Sequence, residues 1–522
     1  MTSIVYVPLD ERPCNAGYPV QIAAATDLGM IVPPRELLGC KKEPADTGRI
    51  AFWLKEQAAT ADVLIVSIDM LVYGGIVPSR LHHWNLEQCS ERLRTLEECK
   101  RINPALKIYA FNLIMRAPAY SSSEEEPDYY ADYGAELSRS GWLQDKAQRD
   151  GLTDDEAREQ ERIASFVPAD VSEDFTRRRA TNAEVNRRSV ELARDGVIDF
   201  LIIPLDDNAK YGYTSAEQRR LLLTIERENL LDRVHMYPGA DEIGCTLFAR
   251  VFCELKRYRP EVFLRYSATN GPFVIPKYED RSLGESLKSH LTAMGAFVAD
   301  NSLEADVVLM VNSAPVGAYD MAETDGEYGD RHAAYFSETG LREFAQAIRA
   351  YSDKDKLVAL ADVATCNGGD EPLMKLLSTS GLLPAISAYA AWNTSGNTLG
   401  TVISHAIIES YYRRQGSAAS DSAFEQARAM KSRLFYVYRL LEDWGYQSVV
   451  RTDIVKHHLD RMGGSYFRIA HIQNEVTALI HERLEHFIAQ HANGLVPGQI
   501  RVQNVALPWN RMFEVAFELE PV

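Results

Sequence analysis

Paired cysteines, phosphate loops, nucleophile elbows and clustered histidines are all missing from this 522-residue chain. Its cysteines are Cys14, Cys40, Cys89, Cys99, Cys245, Cys253 and Cys366, an odd number at irregular spacings. With no CxxC pair, neither a zinc ribbon nor a dithiol redox pair is indicated. Reduced thiols of a cytosolic protein are the simplest account, and the Asn393-Thr-Ser triplet is then incidental. No GxGxxG or Walker-type loop occurs, so Gly368 and Gly369 are poor grounds for nucleotide binding. No GxSxG elbow occurs, and Ser67 has no obvious histidine partner, which argues against a serine hydrolase.

Basic residues are scarce too. Lys and Arg number 56 against 74 Asp and Glu, for a net charge of -18. Such a surface disfavours polyanions, so no nucleic-acid partner is expected. No stretch approaches the roughly 20 apolar residues of a membrane span, so no membrane partner is expected either. The chain opens on a strand-like run, Ile4 to Pro8, without a basic start and long apolar core, so no signal peptide is expected. These absences point to a soluble, cytoplasmic protein with a small-molecule partner; a homo-oligomer is compatible with them.

Short β-branched runs recur between amphipathic stretches. The clearest are Ile4 to Pro8, Asp62 to Ile68, Lys107 to Met115, Asp199 to Leu205, Val234 to Tyr237, Asp306 to Asn312, Lys356 to Ala361 and Ala385 to Ala391. Weaker ones lie at Met30 to Pro33 and Val262 to Tyr266. Helical spacing runs through Asn85 to Cys99, Thr181 to Asp195 and Glu285 to Met294. Continuous apolar strands between helices indicate a parallel sheet covered on both faces. Eight of them suit a (β/α)8 TIM-like barrel over 1–400, with a doubly wound parallel sheet as the alternative. About 120–167, rich in Ser, Glu, Asp and Tyr, reads as a partly helical surface insertion or a mobile solvated loop. The remainder, 401–522, reads as mainly helical (401–414, 422–443, 466–490), closing in a β-hairpin from Gln499 to Val505 and Phe513 to Leu519. No internal repeat is visible.

In parallel α/β proteins, ligands bind at the carboxyl ends of the strands. Those ends are dense in polar residues here. The first carries Asp10, Arg12 and Asn15, the second Asp69 and Tyr73, and the third Arg116. The fourth carries Asp206, Asp207, Asn208, Tyr211 and Tyr213, and the fifth Asp241 and Glu242. Later ends carry Asn367 and Asp370, then Trp392, Asn393 and Asn397. One Asp at a strand end is often a helix cap; seven polar ends favour one shared site. Asp206-Asp207 is the sharpest feature. Where a strand turns at its last residue, both carboxylates can reach one pocket, and two close carboxylates cannot both ionise easily, so one becomes an acid. The alternative makes one a cap and the other an arginine partner.

Trp392 between asparagines has the make-up of a sugar platform or of a core ring with capping amides. Asp370 could accept substrate hydroxyls. Arg12 and Arg116 could hold an anionic group or neutralise the aspartates. The carboxylates are hard oxygen ligands, but no HxH or HExxH accompanies them, so no metal ligand is assigned and no cofactor is expected. His82 and His83 lie past a strand end and read as surface helix residues.

Seven motifs — PLDERPCN at 8–15, SIDMLVYGG at 67–75, LDDNAKYGY at 205–213, YPGADE at 237–242, DVATCNGGD at 362–370, AWNTSGNTLG at 391–400 and LPWNRMFE at 507–514 — resemble a bacterial domain-of-unknown-function family, number 4127, over nearly the whole chain. More distantly, adjacent carboxylates after a fourth barrel strand, with a Trp/Asn-rich eighth, are similar to retaining β-N-acetylhexosaminidases of the O-GlcNAcase and hyaluronidase-like type. That resemblance implies that the substrate's own acetamide attacks the anomeric carbon. It gives Asp206 the role of stabilising the amide and Asp207 that of acid/base. Tyr211 or Tyr213 would bond the amide oxygen, Trp392 would stack on the sugar, and Asp370 and Asn397 would hold hydroxyls. The expected function is therefore a glycoside hydrolase, an exo-acting retaining N-acetylhexosaminidase using substrate-assisted catalysis. The alternatives are a metal-assisted hydrolase or lyase built on the same aspartates, and a non-catalytic carbohydrate-binding protein.

Overall fold

The computed structural model describes residues 2–415 and 423–521. The chain divides into two compact units. One comprises Met1–Ala16, Leu28–Gly244 and Tyr278–Asp280; the other comprises Gly17–Asp27, Cys245–Lys277 and Arg281–Val522.

The first unit holds six parallel strands: β1 (Ser3–Val7), β2 (Gly29–Ile31), β3 (Val63–Ser67), β4 (Lys107–Phe111), β5 (Phe200–Leu205) and β6 (Val234–Pro238), in the order β2-β1-β3-β4-β5-β6. Alternate residues build one core: Val5 and Val7, Leu64 and Val66, Ile108 and Ala110, Leu201 and Ile203, packed on Ile50 and Leu54 of the helix Thr47–Ala58. The residues between them, such as Ile4, Tyr6, Ile65 and Ile202, are fully buried as well. Both faces are therefore covered, which is why these strands read as unbroken apolar runs rather than alternating ones.

The second unit repeats the winding. Its strands β7 (Glu261–Tyr266), β8 (Phe297–Val298), β9 (Val307–Ser313), β10 (Val358–Val363) and β11 (Ile386–Ala390) lie in the order β8-β7-β9-β10-β11, all parallel. Both sheets follow the 2-1-3-4-5 pattern of doubly wound folds, the first with one strand more. The eight clear strands thus divide between two open sheets rather than closing one barrel. An antiparallel pair, β12 (Ile500–Ala506) and β13 (Ala516–Pro521), supplies the closing hairpin.

Side-chain caps place some of the helix starts. Asn85 and Gln88 form a capping box at Leu86–Leu93, as Thr153 and Glu156 do at Asp154–Phe166. The expected helix Asn85 to Cys99 is two helices, the second being Thr95–Ile102. Thr181 to Asp195 is the end of a 26-residue helix, Ala169–Arg194. Residue 422, the expected start of a C-terminal helix, lies outside the described residues; Ala423–Arg439 is helical and runs on into π-helical turns over Leu440–Val450. The stretch 120–167 is no mobile loop. Its helices Tyr130–Arg149 and Asp154–Phe166 bury Tyr130, Leu137, Leu143 and Ile163 with Met115 and Phe175 in a core of their own.

Candidate functional site

The carboxyl ends of β1 and β3 to β6 gather the polar residues of the first unit. Arg12 grips both Asp10 (2.6 Å) and Asp241 (2.5 Å) through Nη2, while Asn15 Nδ2 donates to both at 3.0 and 2.9 Å. Strands β1 and β6 are four positions apart, about 19 Å in a flat sheet. The segments following them therefore lean across the rim to meet. Burial lifts the Asp10 carboxyl to about 6, with Arg12 opposing and Glu11 and Asp241 adding to the rise. Asp69 sits in the first turn of Ile68–Tyr73, started by Ser67 Oγ accepting from the Met70 N–H. It accepts from Leu113 N at 2.9 Å and Asn112 Nδ2 at 3.2 Å, and burial outweighs these bonds and lifts it to about 6.

Asp206 and Asp207 stand in the turn after β5, with Asp207 in the left-handed region at φ +46°. The following helix, Tyr213–Arg227, has no side-chain cap, so neither aspartate serves as one. Each instead pairs with an arginine: Arg80 Nη2 with Asp206 at 2.8 Å, and Arg116 Nη1 with Asp207 at 3.3 Å. The two guanidiniums share a second pair of carboxylates. Glu125 Oε2 lies 3.0 Å from Arg80 Nη1 and 3.1 Å from Arg116 Nη2. Glu126 Oε1 lies 3.3 Å from Arg80 Nη1 and 2.8 Å from Arg116 Nε. Two arginines and four carboxylates thus form one cluster. Burial raises Asp207 to about 6; Arg116 opposes the rise and the Asp206 charge adds to it. Burial also lowers the basicity of Arg116, but Glu125 and Glu126 more than restore it.

The neighbouring residues are more enclosed. Asn208 donates to Gln218 Oε1 at 3.3 Å, and its own Oδ1 is buried without a partner. Tyr211 bonds Asp150 through its hydroxyl. Tyr213 packs on Phe175 beneath the Arg179 guanidinium, within the core of the 120–167 helices. Glu242 accepts from Ala240 N at 3.0 Å. Tyr73 is buried and stacks on His82 at 4.5 Å. His82 is not a surface helix residue: it is buried just past the helix end and bonded to Asn182 at 2.7 Å. Burial brings it down to about 4, so it stays neutral.

The remaining sequence candidates lie in the second unit. Asp370 accepts from Arg331 Nη1 at 2.6 Å and Asn312 Nδ2 at 3.3 Å, and its backbone N–H donates to Asp362 at 2.7 Å. Burial and the Asp370 charge push Asp362 to about 7. Asn367 and Asn393, both in the left-handed region, are joined backbone to backbone at 2.9 Å. Asn397 accepts from Thr394 at 2.6 Å. Trp392 is 3% exposed and packs edge-on against Phe513.

Sequence reasoning left out Arg80, Glu125, Glu126, Asn112, Asn312, Arg331 and Asp362. Arg80 lies inside the short helix Ile76–Leu81, well past a strand end, where it reads as a surface cation. Glu125 and Glu126 belong to the acidic run 124–126, which is their one signal in the sequence. Among the described residues, no three His, Cys, Asp or Glu side chains converge on a position suited to a metal ion.

Two doubly wound parallel sheets, with ion-paired acids crowding the strand ends, define an α/β protein. The chain belongs to the family described as "Protein of unknown function (DUF4127)", whose model matches residues 4–518. A search of curated proteins found no match. Among solved structures, the carboxyl transferase domain from Rhizobium etli pyruvate carboxylase with 3-bromopyruvate matches at 11% identity and a TM-score of 0.18. That match covers 94% of this chain and 60% of the other, so this chain spans less than two thirds of it. Neither match carries the hexosaminidase resemblance.

Proposed function

We propose that the chain hydrolyses glycosidic bonds at the β5 rim, with Asp207 protonating the leaving oxygen and Asp206 acting as the second carboxylate. One observation carries the reading: adjacent carboxylates are held in a single cluster, and one of them, lifted to about 6, can carry a proton near neutral pH. Asp207 is the more open of the two, its side chain 19% exposed against 11% for Asp206. It is therefore the better placed to meet a leaving group. Asp206, fixed by Arg80, would orient and stabilise a substrate acetamide as that amide attacks the anomeric carbon. The reading does not depend on Trp392.

The test is to assay the wild type, Asp206→Asn and Asp207→Asn on aryl N-acetylhexosaminides of both anomers and several epimers. Cleavage by the wild type and a loss of at least about a hundredfold in Asp207→Asn are expected. If the wild type cleaves none of them, or both variants keep full rate, the proposal fails.

A further inference from the structure

We infer that the substrate carries a carboxylate, which takes the place of Glu125 between Arg80 and Arg116. This rests on the β5 rim being the working site, as proposed above. A single oxygen, Glu125 Oε2, bridges the two guanidiniums at 3.0 and 3.1 Å, beside Asp206 and Asp207. A carboxylate bonded to two arginines is the arrangement that recognises an anionic group. Here the protein supplies that group from within.

The two glutamates are not equivalent. Glu126 is 2% exposed in its side chain and accepts from both arginines, so it is their permanent counter-ion. Glu125 is 18% exposed and makes the same pair of bonds from the outer side. Leaving the cluster, Glu125 would regain water, while Arg80 and Arg116 would keep Glu126, Asp206 and Asp207. What it vacates is one oxygen-sized position between two N–H donors. Counting formal charges, two arginines against four carboxylates make -2. Losing Glu125 makes -1, and an incoming carboxylate restores -2. A neutral sugar can offer a hydroxyl or amide oxygen to the two donors but does not restore the charge, and hydrogen bonds to a carboxylate are the stronger ones. A substrate carboxylate makes the exchange even, with its sugar ring lying against the aspartate pair. Because the occupant to be replaced is itself a carboxylate, this class is favoured over phosphate.

The experiment is calorimetric titration of wild type, Glu125→Ala and Glu125→Gln with matched ligands: N-acetylmuramate against N-acetylglucosamine, glucuronate against glucose, and inorganic phosphate. Both variants should bind each acidic sugar at least tenfold more tightly than wild type, because the charged internal competitor is gone in Glu125→Gln and the whole competitor in Glu125→Ala. Both should bind the neutral partners no better than wild type does. Glu125→Gln keeps the side chain's shape, so the result does not hang on how the alanine variant folds. The idea is overturned if the variants gain nothing for the acidic sugars, gain equally for neutral ones, or prefer phosphate. Titrating Asp207→Asn separates the two readings. Acidic-sugar binding kept while hydrolysis is lost supports both. Binding kept by a wild type that cleaves nothing removes only the hydrolase. Cleavage of neutral glycosides with no acidic preference removes only this inference.

Discussion

The protonation of Asp207 sets a pH limit that can be worked through. Its carboxyl is lifted from 3.8 to about 6 by burial, against the pull of Arg116 and with help from Asp206. At pH 7 roughly a tenth of the molecules then carry the proton, against fewer than about one in a thousand for a carboxyl at 3.8. That gain of roughly a hundredfold in protonated carboxyl corresponds to about 3 kcal/mol, which the fold spends in burying the group. Activity on a substrate that needs leaving-group protonation should fall tenfold per pH unit above about 6. Asp207→Asn should remove this limb and lower the rate by about 10² to 10⁴. The loss should nearly vanish on a dinitrophenyl glycoside, whose leaving group needs no proton. The sign also constrains stability. A carboxyl raised in the folded state stabilises the fold fully below its unfolded value of 3.8, and that contribution disappears as pH rises through about 6. Urea midpoints of Asp207→Asn should therefore change less between pH 4 and pH 7 than those of wild type. A wild-type alkaline limb that survives in Asp207→Asn, or an equal loss on both leaving groups, would refute the assignment.

Two further outcomes concern the scaffold. Gly74 closes the helix after β3 at φ +91°, and a Cβ there would sit 2.8 Å from Ala45 N and 2.9 Å from its carbonyl oxygen. Gly74→Ala should cost about 1–3 kcal/mol in denaturant melts, and a change below about 0.5 kcal/mol would contradict the geometry. In the second unit, fully buried Arg439 pairs with Glu442 at 2.7 Å and with Asp443. Arg439→Met leaves both buried acids without a cation, with only the Tyr18 hydroxyl on Glu442 and the Ala391 N–H on Asp443, and should cost about 3–5 kcal/mol. Burial, opposed by Arg439 and aided by Asp443, lifts Glu442 to about 7, and the stability its proton brings is lost as pH rises through that value. The Arg439→Met deficit should therefore be larger at pH 8 than at pH 5.5; equal deficits would show the pair to be inert.

The strands were legible because most are buried on both faces, which leaves an apolar run of five to seven residues. Where burial fails, so does the signal: β7 is only half-buried along most of its length, β2 has three residues, and β8 is two exposed ones. How the strands pair was not legible. Periodicity reports faces, not neighbours, so eight strands read as one barrel when they belong to two sheets. The winding is repeated with no visible repeat in the sequence. Buried parallel strands ask only for β-branched bulk, which many unrelated sequences satisfy. At the rim, Asp206 and Asp207 stood out because they end a strand. Arg116, the partner of Asp207, ends a strand too, but Arg80 came from a helix and the bridging Glu125 and Glu126 from the 120–167 stretch, where charge is the ordinary surface composition.

The repeated winding leaves two places where a ligand could sit, since each sheet reverses its strand order at its first strand and such points open a crevice. In the first sheet the reversal lies between β1 and β3, whose ends carry Asp10 and Asp69. In the second it lies between β7 and β9, where Ser267 donates to Asn312 at 2.7 Å and Asn312 in turn holds Asp362 at 2.8 Å. Both rims contain an acid lifted toward neutrality, so titration alone does not choose between them. Access does. Asp362 and Asp370 are 1% and 3% exposed, in a network closed by Arg331 and Asn312. Around the first rim, Asp207, Glu125 and Arg116 keep side chains 19%, 18% and 13% exposed while remaining ion-paired. A group that must hand a proton to a substrate needs both a shifted affinity and a path to that substrate; Asp10 and Asp69 are as enclosed as Asp362 and Asp370, and among these acids Asp207 alone combines the two.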